Sequence, residues 1–352
     1  MSVKDDFDYW TQRPVSQASR TSHTLQIEMI EDVEPLDDQF GVLTPVAVPN
    51  VLLKPLFGQT SAGQGGLALA ETDLTKLQPI QTYAILDAAK VMNLPELLDA
   101  SGLEHRCLFQ GSAEDDLKDV APWIVRLEDG NALTRNLFTR GNAPWHLWET
   151  EPGIYVRSQT SFDEMWRHFR KFTQVRGDDG VWMFFRFWDA AILGRYLVDH
   201  CPDAQDHVCG LLSSFEWLLI DTGRAKVSLF RAPGDPVQPP AKQNVPWPGL
   251  EADMKRIRLE LFLEDLEDIF QKRFPVLRDL RHQDRTALFG QMIDHALRLG
   301  FREKRAIERF CITWLLLGMP PDDDPRLRHL IESPQHELDR TRKMLKLAEQ
   351  TQ

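Results

Sequence analysis

DDGVWMFFRFWDAAIL, residues Asp178–Leu193, is almost wholly aromatic and aliphatic, yet it carries Arg186 and Asp189 within it. A short apolar run bounded by turn residues reads as a buried strand, here GVWMFFRFWD, with a helix AAILGRYLVDHC after it. Alternation along such a strand puts Phe185 and Phe187 on the side opposite Arg186. Asp189 falls where a helix starting at Ala190 needs a cap. An arginine and an aspartate with no nucleophile or base beside them make a poor active site. The stretch is expected to be a core strand and corner, with Phe185, Arg186, Phe187, Trp188 and Asp189 as its structural signature.

The same pattern continues outward. TYAILDAA, from Thr82, HRCLFQG and APWIVRLE read as strands, and LPELLDASGL as a short helix stopped by Gly102. Met165, Trp166, Phe169 and Phe172 recur at helical spacing within Asp163–Val175, with Ser161 as the cap. FEWLLIDTGRAKVSLFR is a hairpin pattern around Thr222-Gly223. Residues 1–82 read as an arm, partly extended or mobile, with GVLTPVAVPNVLLKPLFGQTSAGQGG lying as extended chain. Residues 83–231 form an α/β lobe, 232–249 a proline-rich linker, and 250–352 a lobe of helices. The fold class is α+β.

Composition narrows the function. The chain has 352 residues, 42% of them hydrophobic, and a formal net charge of -12. That acidity disfavours nucleic acid and anionic membranes, because both require a basic surface. The start, MSVKDDFDYW, does not read as a signal peptide, and no apolar run approaches the ~20 residues of a membrane span. Four cysteines, Cys107, Cys201, Cys209 and Cys311, are too sparse to staple the chain. A cytoplasmic protein with reduced thiols is expected.

Sets of reactive residues are weak. His200, Cys201, His207 and Cys209 are the residue types of a zinc site, but their spacing is not that of a finger, and adjacent His200 and Cys201 do not both reach one tetrahedral ion. Ser161, Asp163 and His168 spell a triad only on paper, with no nucleophile elbow. GQTSAGQGG lacks the endings of a phosphate loop or dinucleotide turn. Asp322–Asp324 does not follow a calcium-loop pattern, and Glu149 and Glu151 read as surface acids. The expectation is no catalytic residue, no cofactor and no metal.

Partner surfaces are better represented. Trp145, Trp148 and Trp247 lie in loop-like or proline-rich sequence, where aromatics either fill a seam or anchor a partner. Along residues 250–274, Leu250, Met254, Ile257 and Leu261 share one helical face. Leu259, Phe262, Leu263, Leu266, Ile269 and Phe270 fall on the opposite one. The apolar stripe changes sides, which implies either a break or a second buried face. Trp247, Phe262, Leu266 and Ile269 are the candidate partner contacts.

Several motifs occur in an order that resembles a known family. They are Tyr83, Ala84, Ile85, Leu86, Asp87 and Ala88; Leu108, Phe109 and Gly111; Ala121, Pro122, Trp123, Ile124, Val125 and Leu127; Ser161 and Phe162; and Phe185, Arg186, Phe187, Trp188 and Asp189. Together they resemble the type VI secretion effector chaperones, or adaptors, of the domain of unknown function 4123. The family often continues the last motif with Pro-Arg, where this chain has Ala190 and Ala191. The resemblance implies a cytoplasmic, non-enzymatic adaptor that binds a secreted toxic effector and helps load it onto the spike protein. An immunity protein that neutralises a toxin, and a metal-dependent hydrolase around Arg186, His200 and Cys209, are the alternatives.

Overall fold

The computed structural model describes residues 26–59, 79–177, 179–200, 210–212, 215–221, 226–231, 247 and 249–350. The chain divides into two compact units, Met1–Trp247 and Pro248–Gln352. The first carries strands and helices and the second helices alone, an α+β protein.

The first unit is built on a seven-stranded sheet. In chain order its elements are β1 (Gln26–Ile30), α1 (Asn50–Phe57), β2 (Gln81–Asp87), α2 (Leu94–Ser101), β3 (His105–Cys107), α3 (Ser112–Leu117), β4 (Pro122–Leu127), α4 (Ala132–Leu137), β5 (Gly153–Ser158), α5 (Phe162–Arg170), β6 (Gln174–Arg176), β7 (Trp182–Phe184), α6 (Ala190–His200), β8 (Glu216–Asp221) and β9 (Lys226–Arg231). The strand order is β1-β9-β8-β5-β2-β4-β3, and every pairing is antiparallel. β6 and β7 pair separately as a two-stranded ribbon.

The central strand explains the layering. From Thr82 to Asp87 every residue of β2 is buried, so both faces of the sheet must be covered. Ala84 and Leu86 join a core with Leu52 and Leu56 of α1, Leu94 and Leu98 of α2, and Leu133 and Leu137 of α4. Tyr83 and Ile85 alternate onto the other face. There Tyr83 meets Phe162 of α5, and Phe169 stands edge-on to Trp217 of β8. α6 lies on this face too, with Gly194 against Leu219. Gly153 is required by closeness: a Cβ there would sit 1.9 Å from the Ile85 carbonyl oxygen of the neighbouring strand.

Three expectations are corrected. Residues 26–59 are not an arm: β1 extends the sheet by pairing with β9, and Leu52 and Leu56 make α1 part of the core. Pro55 misleads there, since it stands near the end of α1, where one lost backbone donor breaks little. The strand at the heart of the opening stretch is only Trp182–Phe184. Phe185–Asp189 is instead a tight corner, with Phe187 N–H donating to the Phe185 carbonyl and Asp189 N–H to that of Arg186. The helix expected over Asp163–Val175 ends at Arg170, and β6 follows. The proline-rich stretch 232–246 lies outside the described residues.

In the second unit α7 (Leu250–Arg273) is followed by a short 3-10 segment, then α8 (His282–Arg298), α9 (Lys304–Leu317), α10 (Arg328–Ile331) and α11 (Glu337–Glu349). Leu263, Leu266 and Phe270 of α7 pack with Phe289, Met292, Phe310 and Met344. The helix is unbroken although its apolar stripe changes sides: Leu250, Met254 and Ile257 are buried as well. Glu267, beside this core, is desolvated by burial. Hydrogen bonds from Arg285 and His282 outweigh that and hold its carboxyl below the ordinary range.

Candidate functional site

Two signature motifs that lie 99 residues apart meet at the end of β2. Arg186 Nη2 donates to Asp87 Oδ2, and Asp87 Oδ1 accepts from the Ala89 amide at 3.0 Å. Beside them Lys90 Nζ is 3.1 Å from Asp189 Oδ2 and donates to the Glu151 carbonyl at 3.3 Å. Asp189 Oδ1 accepts the Ile192 amide at 3.2 Å and caps α6. The Asp87 side chain is 2% exposed and that of Arg186 40%. Two carboxylates and two cations cancel, and each is spent on holding a strand end, a corner and a helix start together. Phe185 and Phe187 are fully buried, Phe187 stacked 5.7 Å from Phe169. Trp188 is also buried, 5.3 Å from Phe187.

The residues of the paper triad are engaged separately. Ser161 begins α5 in a capping box with Glu164, whose carboxyl the Ser161 hydroxyl and amide hold below its ordinary value. Asp163 pairs with Arg106 at 2.9 Å. His168 is buried among Phe169, Phe172 and Phe215 and donates from Nε2 to the Leu211 carbonyl at 3.0 Å. Burial pushes its pKa down to about 4. Of the zinc-like set, His200 bonds through Nδ1 to the Tyr196 carbonyl at 3.2 Å, while Cys201, His207 and Cys209 lie outside the described residues. Among the described residues no group of three or more His, Cys, Asp or Glu has metal-binding geometry. Asp322 instead meets His295 at 2.8 Å, and Asp324 pairs with Arg326. Cys107 and Cys311 are buried free thiols, pushed up to about 11 and about 12 by burial.

The four candidate contacts separate. Trp247 is not an exposed anchor: it is 3% exposed, its indole N–H donates to the Tyr196 hydroxyl at 2.6 Å, and its ring lies 5.1 Å from Phe185. Its backbone amide also donates to the Arg176 carbonyl at 2.9 Å. Leu266 is wholly buried, whereas Ile269 is 38% exposed. Phe262, Leu266 and Ile269 nonetheless line one groove of about 440 Å³ with Asp265 and Asp268 of α7 and Lys304, Arg305 and Glu308 of α9. Lys304 pairs with Asp265 and lies 5.4 Å from the Phe262 ring centroid. Its charge is mixed and in part self-satisfied. Of the loop tryptophans, Trp145 is half exposed and Trp148 buried.

A second cleft, of about 500 Å³, was not anticipated. It lies in the first unit between the end of β3, the last turn of α5 and β7. Phe109, Trp182 and Phe184 supply its apolar lining, with Phe109 and Phe184 5.5 Å apart. Arg167, Arg170 and Lys171 supply its charge. The readable signal was WRHFRK, whose three cations recur at three- and four-residue spacing on the polar side of α5.

Residues 82–207 match the model of the family described as Domain of unknown function (DUF4123). The match takes in the Asp87–Arg186 corner and the whole of the cationic cleft. No curated protein and no solved structure matches the chain. Among the described residues no helix is long and apolar enough to cross a membrane.

Proposed function

We propose that this protein is a cytoplasmic, non-catalytic chaperone or adaptor that binds a type VI secretion effector and helps load it onto the spike protein. The observation that carries the reading is the DUF4123 match over residues 82–207, within which the ordered motifs fold into one domain and its signature charges join at one corner. A holding function also suits surfaces of the kind described, open grooves lined by apolar and charged side chains. The effector contact assigned to the helical unit is the groove of Phe262, Leu266 and Ile269.

The test is affinity capture of the tagged protein from its own bacterium, with mass spectrometry of what accompanies it. A toxin-like protein recovered with a spike subunit is the expected result. Recovery of neither, while the secretion system is expressed, overturns the reading. Phe262→Asp with Ile269→Asp is expected to release the effector from a protein that keeps its far-ultraviolet circular dichroism. Undiminished capture by that variant removes the helical groove as the contact.

A further inference from the structure

The cleft between α5 and β7 combines features that together specify a ligand. The chain is strongly acidic, at -12, yet this cleft gathers Arg167, Arg170 and Lys171, and among the described residues no acid lines it. Among the described residues, none of these three cations lies within ion-pair distance of a carboxylate; Arg167 acts on Glu164, one turn away on the same helix, only at longer range. Arg170 lies over the Trp166 ring at 5.1 Å, which orients the guanidinium without neutralising it. Opposite the cations, Trp182 is 50% and Phe184 48% exposed, in a ribbon whose register sets both on the same face. Large aromatics left half in water beside cations without a close counter-charge among the described residues lose apolar burial and full charge neutralisation until something covers them.

We propose that this cleft is a docking site for an extended protein segment in which carboxylates flank an aromatic or aliphatic residue. The carboxylates meet Arg167, Arg170 and Lys171, the guanidinium pair offering planar donors. The apolar side chain enters between Phe109, Trp182 and Phe184. Charge complementarity selects the occupant: the chain's net charge of -12 disfavours an acidic segment overall, whereas three clustered cations attract one to this cleft, so the cleft sets register as well as affinity. The inference rests on the adaptor reading only for which protein carries the segment.

The test is selection of randomised 12-residue peptides, displayed on phage, against the immobilised full-length protein. The expected peptides are net acidic and contain an aromatic or a large aliphatic residue. Synthetic copies are expected to bind at least tenfold more weakly to Arg170→Glu/Lys171→Glu and to Trp182→Ala/Phe184→Ala, and to weaken as salt is raised. All four positions are exposed, so the variants are expected to keep the wild-type melting temperature. Neutral or basic peptides, no enrichment, or binding that either folded variant retains would overturn the proposal. The two readings fail separately. If Arg170→Glu/Lys171→Glu selects no acidic peptide yet captures the same cellular partners as wild type, the adaptor reading stands, with its contacts elsewhere. If the wild type selects acidic peptides but captures neither effector nor spike subunit, the cleft stands and the adaptor reading falls.

Discussion

Two clusters of charge lie within residues 82–207, the stretch that matches the DUF4123 model, and are treated in opposite ways. At the end of β2 each charge has its opposite: Asp87 with Arg186, Lys90 with Asp189. In the cleft beside α5 none of Arg167, Arg170 and Lys171 is ion-paired among the described residues. The difference separates charge that builds the fold from charge available to a partner. A buried carboxylate is tolerable only while its cation stays, so the corner is costly to disturb. Exposed cations cost almost nothing in water.

Mutation should widen that contrast. The largest effect is expected upstream of both clusters, at Gly153→Ala. The added Cβ would press on the Ile85 carbonyl at 1.9 Å and force β5 away from β2 just where Asp87 leaves the sheet. Loss of soluble, folded protein is expected, and normal expression with an unchanged melting curve would refute the close approach. Next comes Arg186→Ala, which strands the 2%-exposed Asp87 carboxylate and should cost about 3 kcal/mol in urea unfolding. Asp87→Ala/Arg186→Ala should lose less than the two single variants summed. Strict additivity would mean the pair is not coupled.

A pH step gives an intermediate effect. Burial holds His168 at about 4 in the folded protein, against roughly 6.5 when unfolded. The stability this represents is complete above the unfolded value and is lost as pH falls toward 4, because the unfolded chain takes the proton first. At pH 5 the loss is about 2 kcal/mol relative to pH 7.5. His168→Gln should lose that much less over the same step, and equal losses would show that His168 titrates normally. The smallest effect is expected in the cleft. Arg170→Ala/Lys171→Ala should change stability by less than about 0.5 kcal/mol, and a change of several times that would make these cations structural after all.

What the sequence disclosed follows how local each signal is. The β8–β9 hairpin, the Ser161 start of α5 and the Asp189 cap of α6 depend on residues close in sequence, and all were legible. α1 was obscured by Pro49 and Pro55, residues that disrupt most helices but stand here just outside its start and near its end. The aromatic run at Phe185–Asp189 continues the strand pattern in sequence because continuous burial looks alike in a strand and in a corner. Both halves of the corner were visible as motifs, but their meeting spans 99 residues and is set by strand order alone. The cleft was hidden for the same reason. WRHFRK shows its cations, yet only the fold brings Phe109, Trp182 and Phe184 to face them.

The pairing of β1 with β9 has a consequence for synthesis. Ile30 finds its partner Val227 about 200 residues later in the chain. At a ribosome speed of ~5–20 residues per second, β1 waits for roughly 10–40 s before its place in the sheet exists. During that interval it is a short β-prone segment with no partner, the kind that misassociates with neighbouring nascent chains. Glu28 within the strand and Glu31 and Asp32 just after it put like charge along any self-pairing. They act as gatekeepers until Lys226, beginning β9, arrives to meet Glu31 at 2.9 Å.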